Sequence, residues 1–210
     1  SSASEDAASY TVNLLGTASD ADGADALAVQ NVSPAINTGT LPAGAVSLTG
    51  ATLTVDPSKF NFLAVGESRV ITVSYDVFDG TARTANTATI TVTGANDAPV
   101  VSALTSSASE DAASYTVNLL GTAADADGSD TLSVQNVSPA INTGTLPAGA
   151  VSLTGSTLTV DPSKFNFLAV GESRVITVSY DVFDGTTTTA NTATITVSGA
   201  NDAPVVSAIT

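Results

Sequence analysis

The chain of 210 residues has twenty Asp and Glu against five Lys and Arg, a formal net charge of −15, and no Cys, His, Met or Trp. The lack of cysteine excludes disulfides and thiolate chemistry, and the lack of histidine removes the commonest general base and transition-metal ligand. The acidic surplus disfavours nucleic acid and anionic membrane surfaces as partners, since both are bound through basic residues. We also expect no direct membrane insertion. Hard cations are better matched to this chain.

Residues 106–210 repeat residues 1–105 with nine differences, at positions 19, 24, 26, 28, 51, 82, 83, 93 and 104. A fixed period of this size is typical of a tandem array of modules. A module of about 100 residues can bury its own core. The second copy ends on the segment that joins the two copies, so we expect a further unit to follow. We also expect a chain that begins at Ser1 without Met to be a piece of a longer protein.

Short β-strands are predicted along the whole of each copy, because apolar and polar residues alternate between turn residues. After the fourth of them, Asp56 and Pro57 predict one helical turn that places Phe60 in the core. This spacing without a long helix predicts an all-β fold of two tandem seven-stranded antiparallel Greek-key sandwiches of immunoglobulin type, arranged as an extended rod. The predicted strands of copy one run from Tyr10 to Leu15, Leu27 to Val32, Val46 to Thr49, Leu53 to Val55, Ile71 to Val77 and Ala88 to Val92.

Acidic residues gather in loops between these strands. Ca²⁺ takes six to eight oxygen ligands from carboxylates, amides and carbonyls, whereas Mg²⁺ tends to keep its waters, so calcium fits this chemistry better. The loop that starts at Asp20 is not an EF-hand, because its sixth and twelfth positions hold Asp25 and Asn31 in place of Gly and Glu. A single loop acid is more often a turn former, but the clustering favours metal binding.

The order of these motifs resembles the cadherin-like and VCBS-type repeats of giant bacterial RTX-type surface adhesins, and the resemblance covers the whole chain. The motifs are Glu5-Asp6, Asp20-Ala21-Asp22-Gly23, Asp79-Gly80 and Asn96-Asp97-Ala98-Pro99. The resemblance implies calcium ions at the junctions between successive domains, with neighbouring repeats of the same chain as partners. It also implies an extracellular location at a bacterial cell surface. We expect a monomer in solution or weak head-to-tail contacts.

The resemblance also implies domain boundaries. The first repeat would span residues 1–97, the second 98–202, and residues 203–210 would begin a further repeat. In this frame the segment from Pro99 to Ala103 is the first strand of the second sandwich. Copy one would then lack its own first strand.

One complete calcium junction is implied by the same resemblance. Gly94 and Ala98 stand where the family often carries further acids, which leaves the number of ions per junction open. Glu67 has the alternative of a merely solvated side chain. The implied ligands are Glu5, Glu67, Asn96 and Asp97 before the junction and Asp125, Asp127, Asp130 and Asp184 after it, with half-sites at Asp20, Asp22 and Asp79 and at Glu110, Asn201 and Asp202.

Three functions are compatible with these features. The first is a calcium-stiffened structural extender that projects a distal binding domain from the cell. The second is a carbohydrate- or protein-binding module, although a sugar site usually exposes aromatic rings and this chain has only four Tyr and six Phe. The third is an acid-pair glycosidase, which needs a cleft that a sandwich does not obviously offer. Near-identical copies favour the extender, and we expect no enzymatic activity.

Overall fold

The computed structural model describes residues 1–23 and 25–208, and these residues form two compact units. The first unit comprises Ser1–Asp97 together with Ala126–Ser129, and the second comprises Ala98–Asp125 and the chain from Asp130 onward. Each unit is a sandwich of a four-stranded and a three-stranded sheet. The predicted fold of two tandem β-sandwiches is confirmed. Among the described residues, no helix has the length and hydropathy needed to cross a membrane.

The first unit carries seven strands in its described part. The strands are β1 (Ser2–Ser4), β2 (Tyr10–Asn13), β3 (Ala28–Ile36), β4 (Val46–Thr49), β5 (Thr52–Val55), β6 (Ser68–Phe78) and β7 (Arg83–Thr93). The four-stranded sheet has the order β1-β7-β6-β3, and the three-stranded sheet has the order β2-β5-β4. The longest pairing aligns β6 and β7 so that Ile71 faces Ile90 across the ladder.

The second unit repeats this plan, again with seven strands among the residues described. The strands are β8 (Leu104–Ser109), β9 (Tyr115–Asn118), β10 (Ser133–Ile141), β11 (Val151–Thr154), β12 (Thr157–Val160), β13 (Ser173–Phe183) and β14 (Thr188–Ser198). The sheets have the orders β10-β13-β14-β8 and β11-β12-β9. The edge strands β3 and β10 each carry a bulge, at Asn31 and at Asn136, where the backbone adopts a positive φ.

A single 3₁₀ turn closes each core, as predicted. The turns span Pro57–Phe60 and Pro162–Phe165. The rings of Phe60 and Phe165 are fully buried between the sheets. The expected cap differs between the copies, since Asp161 accepts a bond from the Ser163 N–H, whereas Asp56 accepts from the Ser58 hydroxyl.

The first strand of each unit differs from the predictions in three respects. β1 pairs with β7, and β8 pairs with β14, in parallel and not antiparallel fashion. Copy one therefore does have a first strand, although it pairs over three residues where β8 pairs over six. The segment from Pro99 to Ala103 is not a strand; it contributes only an isolated bridge between Val100 and Ala124. The strand follows it, because Leu104 is the first residue whose backbone pairs with β14.

Candidate metal centre

Three carboxylates converge in the first unit: Glu5, Asp97 and Asp127. One oxygen of each lies within 4.8 Å of the others. Glu5 is fully buried and Asp127 is only 2% exposed, while Asp97 is half-buried. Like charges at this separation repel in a partly dry environment, so the cluster is suited to hold a cation.

Glu5 is held in place by main-chain hydrogen bonds. It follows β1, and its own N–H donates to the Thr93 carbonyl at 3.0 Å. One carboxylate oxygen accepts from the Ala95 N–H at 2.8 Å, and the other accepts from the Leu63 N–H at 3.2 Å. A carboxylate oxygen has two lone pairs, so these bonds orient the group and leave capacity for a cation.

Asp97 and Asp127 are tied to each other and to the 3₁₀ turn. The Asp97 N–H donates to Asp127 Oδ2 at 2.9 Å. The Asn61 side-chain amide donates to Asp97 Oδ2 at 2.6 Å. The Gly128 N–H donates to the Phe62 carbonyl at 3.1 Å, which holds the loop of Asp127 on the first unit. The predicted ligand Asn96 donates its amide to the Asp97 carbonyl at 2.9 Å.

The surroundings of Glu5 shift the pKa of its carboxyl group. Burial raises the pKa of the Glu5 carboxyl, and the negative charges of Asp127 and Asp97 act in the same direction. The hydrogen bonds from Ala95 and Leu63 oppose this rise in pKa. A bound cation would reverse the repulsion between the three acids. The residues present are all oxygen donors, which fits the ligand chemistry of calcium.

Gly94 is required by the approach of the linker to the loop that follows the 3₁₀ turn. A Cβ atom at this position would lie 2.2 Å from the Ala64 carbonyl oxygen and 2.3 Å from that of Leu63. The Gly94 N–H also donates to the Glu67 carbonyl at 3.0 Å. The absence of a side chain at Gly94 therefore lets the linker pack against this loop, which places the Ala95 N–H within hydrogen-bonding distance of Glu5.

Other predicted ligands of the first unit lie outside this cluster. The Glu67 carboxylate accepts from the Ala64 N–H at 3.3 Å and closes a local turn. Asp20 and Asp22 form an exposed acidic group with Asp25. Asp79 accepts from the Thr81 and Ala82 N–H groups, and these bonds lower its pKa. Asp20 and Asp79 line one cavity of about 360 Å³.

The second unit contains the remaining predicted ligands. Asp184 is 4% exposed and accepts bonds from the Thr186 and Thr187 N–H groups. Asp125 and Asp130 are half-buried. Glu110 reproduces the geometry of Glu5: it is fully buried and accepts bonds from the N–H groups of Leu168 and Ala200.

The acids that follow Glu110 repeat the first-unit arrangement. The Asn166 amide donates to Asp202 at 3.4 Å, as Asn61 does to Asp97. The Asn201 amide donates to the Asp202 carbonyl at 3.2 Å. Sequence reasoning missed Asn61 and Asn166, although their place directly after the predicted helical turn in both copies was a usable signal.

Residues 95–198 match the family model of the cadherin-like domain. This stretch contains every strand of the second unit. Copy one differs from copy two at only nine of 105 positions and has the same strand plan. No curated protein sequence matches the chain.

Several solved structures resemble the chain at low identity. Chicken VE-cadherin EC1-2 is 14% identical with a TM-score of 0.39, and the match covers 95% of this chain and 97% of that one. Drosophila N-cadherin EC1-4 is 11% identical with a TM-score of 0.38, and the match covers 82% of this chain and 42% of that one. An endo-fucoidan hydrolase of glycoside hydrolase family 107 is 18% identical with a TM-score of 0.34, and the chain spans only 24% of its length. At these values the likenesses carry no functional information.

Proposed function

We propose that the chain is a calcium-stiffened structural extender segment of a large bacterial cell-surface adhesin, which projects a distal binding domain from the cell. The observation that carries the proposal is the convergence of Glu5, Asp97 and Asp127. Cadherin-like domains are typically extracellular modules of adhesion or structure, and the match over residues 95–198 supports that setting.

Calcium would act by converting repulsion into shared coordination. Glu5 and Asp97 come from the first copy, and Asp127 comes from a loop whose flanking residues belong to the second unit. A cation held by all three would fix this loop on the first unit. Without the cation, the three negative charges oppose that placement. Millimolar calcium outside the cell would fill even weak sites of this kind.

The test is a calcium titration of two variants that occupy the same repeat position. Asp127→Ala removes a buried member of the cluster, whereas Asp22→Ala removes an exposed acid. We expect isothermal titration calorimetry to show that Asp127→Ala abolishes the tightest binding event and that Asp22→Ala preserves it. If the two variants lost equal calcium affinity, calcium would bind inside each repeat. If both variants bound calcium as tightly as the wild type, the proposed metal site would be wrong.

A second readout is thermal unfolding of the unaltered chain. A cation that binds only the folded state stabilises it by about 2.7 kcal/mol at a hundredfold excess over its dissociation constant. We expect calcium to raise the unfolding temperature of the wild-type chain, and to raise that of Asp127→Ala much less.

A further inference from the structure

β3 and β10 are outer strands of the two four-stranded sheets, and each is nine residues long. Among the described residues, the outer strands of the three-stranded sheets are β2 and β4 in the first unit and β9 and β11 in the second, and each has only four residues. A long outer strand presents a row of unpaired N–H and C=O groups, which can pair with a strand of another molecule. We call the outer sides of β3 and β10 the long edges.

Each long edge is interrupted by one extra residue. The register of β3 against β6 shifts between Gln30 and Ser33, and in this interval Asn31 and Val32 together stand opposite Tyr75. Val32 packs against the core, to which Tyr75 also belongs, whereas Asn31 is exposed. Asn31 is therefore the inserted residue, because without it Val32 would face Tyr75 in unbroken alternation. The register of β10 against β13 shifts at the same place in the repeat.

The inserted residue is fixed in a conformation that disrupts the strand. Asn31 and Asn136 have φ values of 51° and 52°, and they are the only non-glycine residues with positive φ in the part of the chain that is described. The Asn31 side-chain amide donates to Asp76 Oδ2 at 2.7 Å, and that of Asn136 donates to Asp181 Oδ2 at 2.8 Å. These bonds tie each bulge to the neighbouring strand. A bulge interrupts the row of main-chain groups and increases the local twist.

A proline follows each bulge and removes a hydrogen-bond donor. Pro34 and Pro139 lie in the stretch that resumes regular pairing with the inner strand. Proline has no N–H, and within a sheet it is accommodated where its nitrogen faces away from the partner strand. The outer side of each long edge therefore lacks a donor at this position. In β3, the bulge and the proline leave only two short runs, 28–30 and 33–36, that could pair with another strand.

We propose that the bulge and the proline prevent the long edges from pairing side by side with those of a second copy of the chain. An identical edge is the partner to be excluded, because residues 28–36 and 133–141 differ only at their first position. Charged residues on an outer strand commonly prevent such pairing. Neither long edge contains one, although the chain has twenty Asp and Glu. Backbone geometry therefore performs this role, independently of the calcium site.

The test compares the wild type with two variants that are altered in both units. The unbroken-edge variant lacks Asn31 and Asn136 and carries Pro34→Val and Pro139→Val, which restores regular pairing and the missing N–H groups. The bulge-retaining variant carries Asn31→Gly and Asn136→Gly, because glycine adopts a positive φ without strain and keeps the bulge. Sedimentation velocity over a wide concentration range measures association. Hydrogen exchange of the amides of residues 33–36 reports whether this edge becomes paired.

We expect the unbroken-edge variant to associate about tenfold or more strongly than the wild type, since several new cross-strand pairs each add stability. Its amides in residues 33–36 should exchange more slowly as the protein concentration rises, because association buries them in a continuous sheet. The bulge-retaining variant should associate no more than the wild type.

Three results would overturn the proposal. One is an unbroken-edge variant that unfolds cooperatively on heating and yet associates no more than the wild type. Another is association that leaves the exchange of residues 33–36 unchanged, which would locate the contact elsewhere. The third is equal association of the bulge-retaining variant. If the deletions prevent folding, Pro34→Val with Pro139→Val is tested on the retained bulge. This variant should associate more than the wild type at the highest concentrations, and no increase would also overturn the proposal.

Discussion

At the scale of single residues, the burial of Glu5 is the feature with the largest consequence. A carboxyl whose pKa is raised on folding binds its proton more tightly in the folded state. The tighter binding of this proton adds to the free energy of unfolding at pH values below the ordinary Glu pKa of about 4.3. This added stability is lost as the pH rises through the raised pKa of the folded state. Burial is the main cause of the rise, and two neighbouring acids add to it.

This sign leads to a prediction for Glu5→Gln, which cannot titrate. In chelator, the stability of wild type relative to Glu5→Gln should fall as the pH rises from about 4 toward 7. Denaturant unfolding of both proteins over this range measures the difference. In saturating calcium the trend should reverse, because the cation selects the charged carboxylate. A stability difference between wild type and Glu5→Gln that does not depend on pH would contradict the raised pKa of Glu5.

Gly94 offers a second prediction at this scale, with Gly199 as its matched control. Each glycine would place a Cβ within 2.3 Å of a backbone carbonyl oxygen, so alanine should destabilise either unit by about 1–3 kcal/mol. Only Gly94→Ala should also weaken calcium binding at the cluster, because it displaces Ala95, a donor to Glu5. Calorimetry of both variants makes the comparison. Equal calcium affinity in both would show that the linker does not position Glu5.

At the scale of elements, the 3₁₀ turn couples the core to the candidate site. Phe60 fills the sandwich at one end of the turn, and Asn61 and Leu63 immediately after it contact Asp97 and Glu5. The same arrangement recurs around Phe165. The site geometry therefore depends on a well-packed core.

Phe60→Ala and Phe165→Ala should each destabilise their own unit by about 3–5 kcal/mol, since each removes a fully buried ring. Differential scanning calorimetry should show one transition shifted down and the other retained. If either variant lowered both transitions equally, the two sandwiches would unfold as one cooperative body.

The sequence predicted these elements well wherever hydrophobic alternation was unbroken. The strand Val46–Thr49 and the turn that buries Phe60 follow from local pattern. The extent of β1 could not be predicted, because its pairing partner β7 lies about 90 residues away along the chain. The grouping of Glu5 with Asp97 and Asp127 came from family resemblance, whereas the burial of Glu5 is a tertiary property with no local signal.

At the scale of the whole molecule, the proposed function predicts that calcium narrows the range of shapes the chain adopts. Small-angle scattering in chelator should report a broad distribution of dimensions, and calcium should give a narrow, extended one. Asp127→Ala should behave in calcium as wild type does in chelator, while Asp22→Ala should respond normally. The same scattering measurements on a chain truncated after Asp202 test whether association between molecules contributes to the change in dimensions. An unchanged scattering profile would contradict stiffening by calcium.

The parallel pairing of the outer strands has a mechanical consequence. The first and last strands of each unit lie side by side and point the same way, so tension applied through the two ends of a unit pulls them past each other. The hydrogen bonds between them are then loaded together in shear and do not open one after another. Six residue pairs bear this load in the second unit. Under a steadily rising force, we expect that sandwich to resist until these pairs break together.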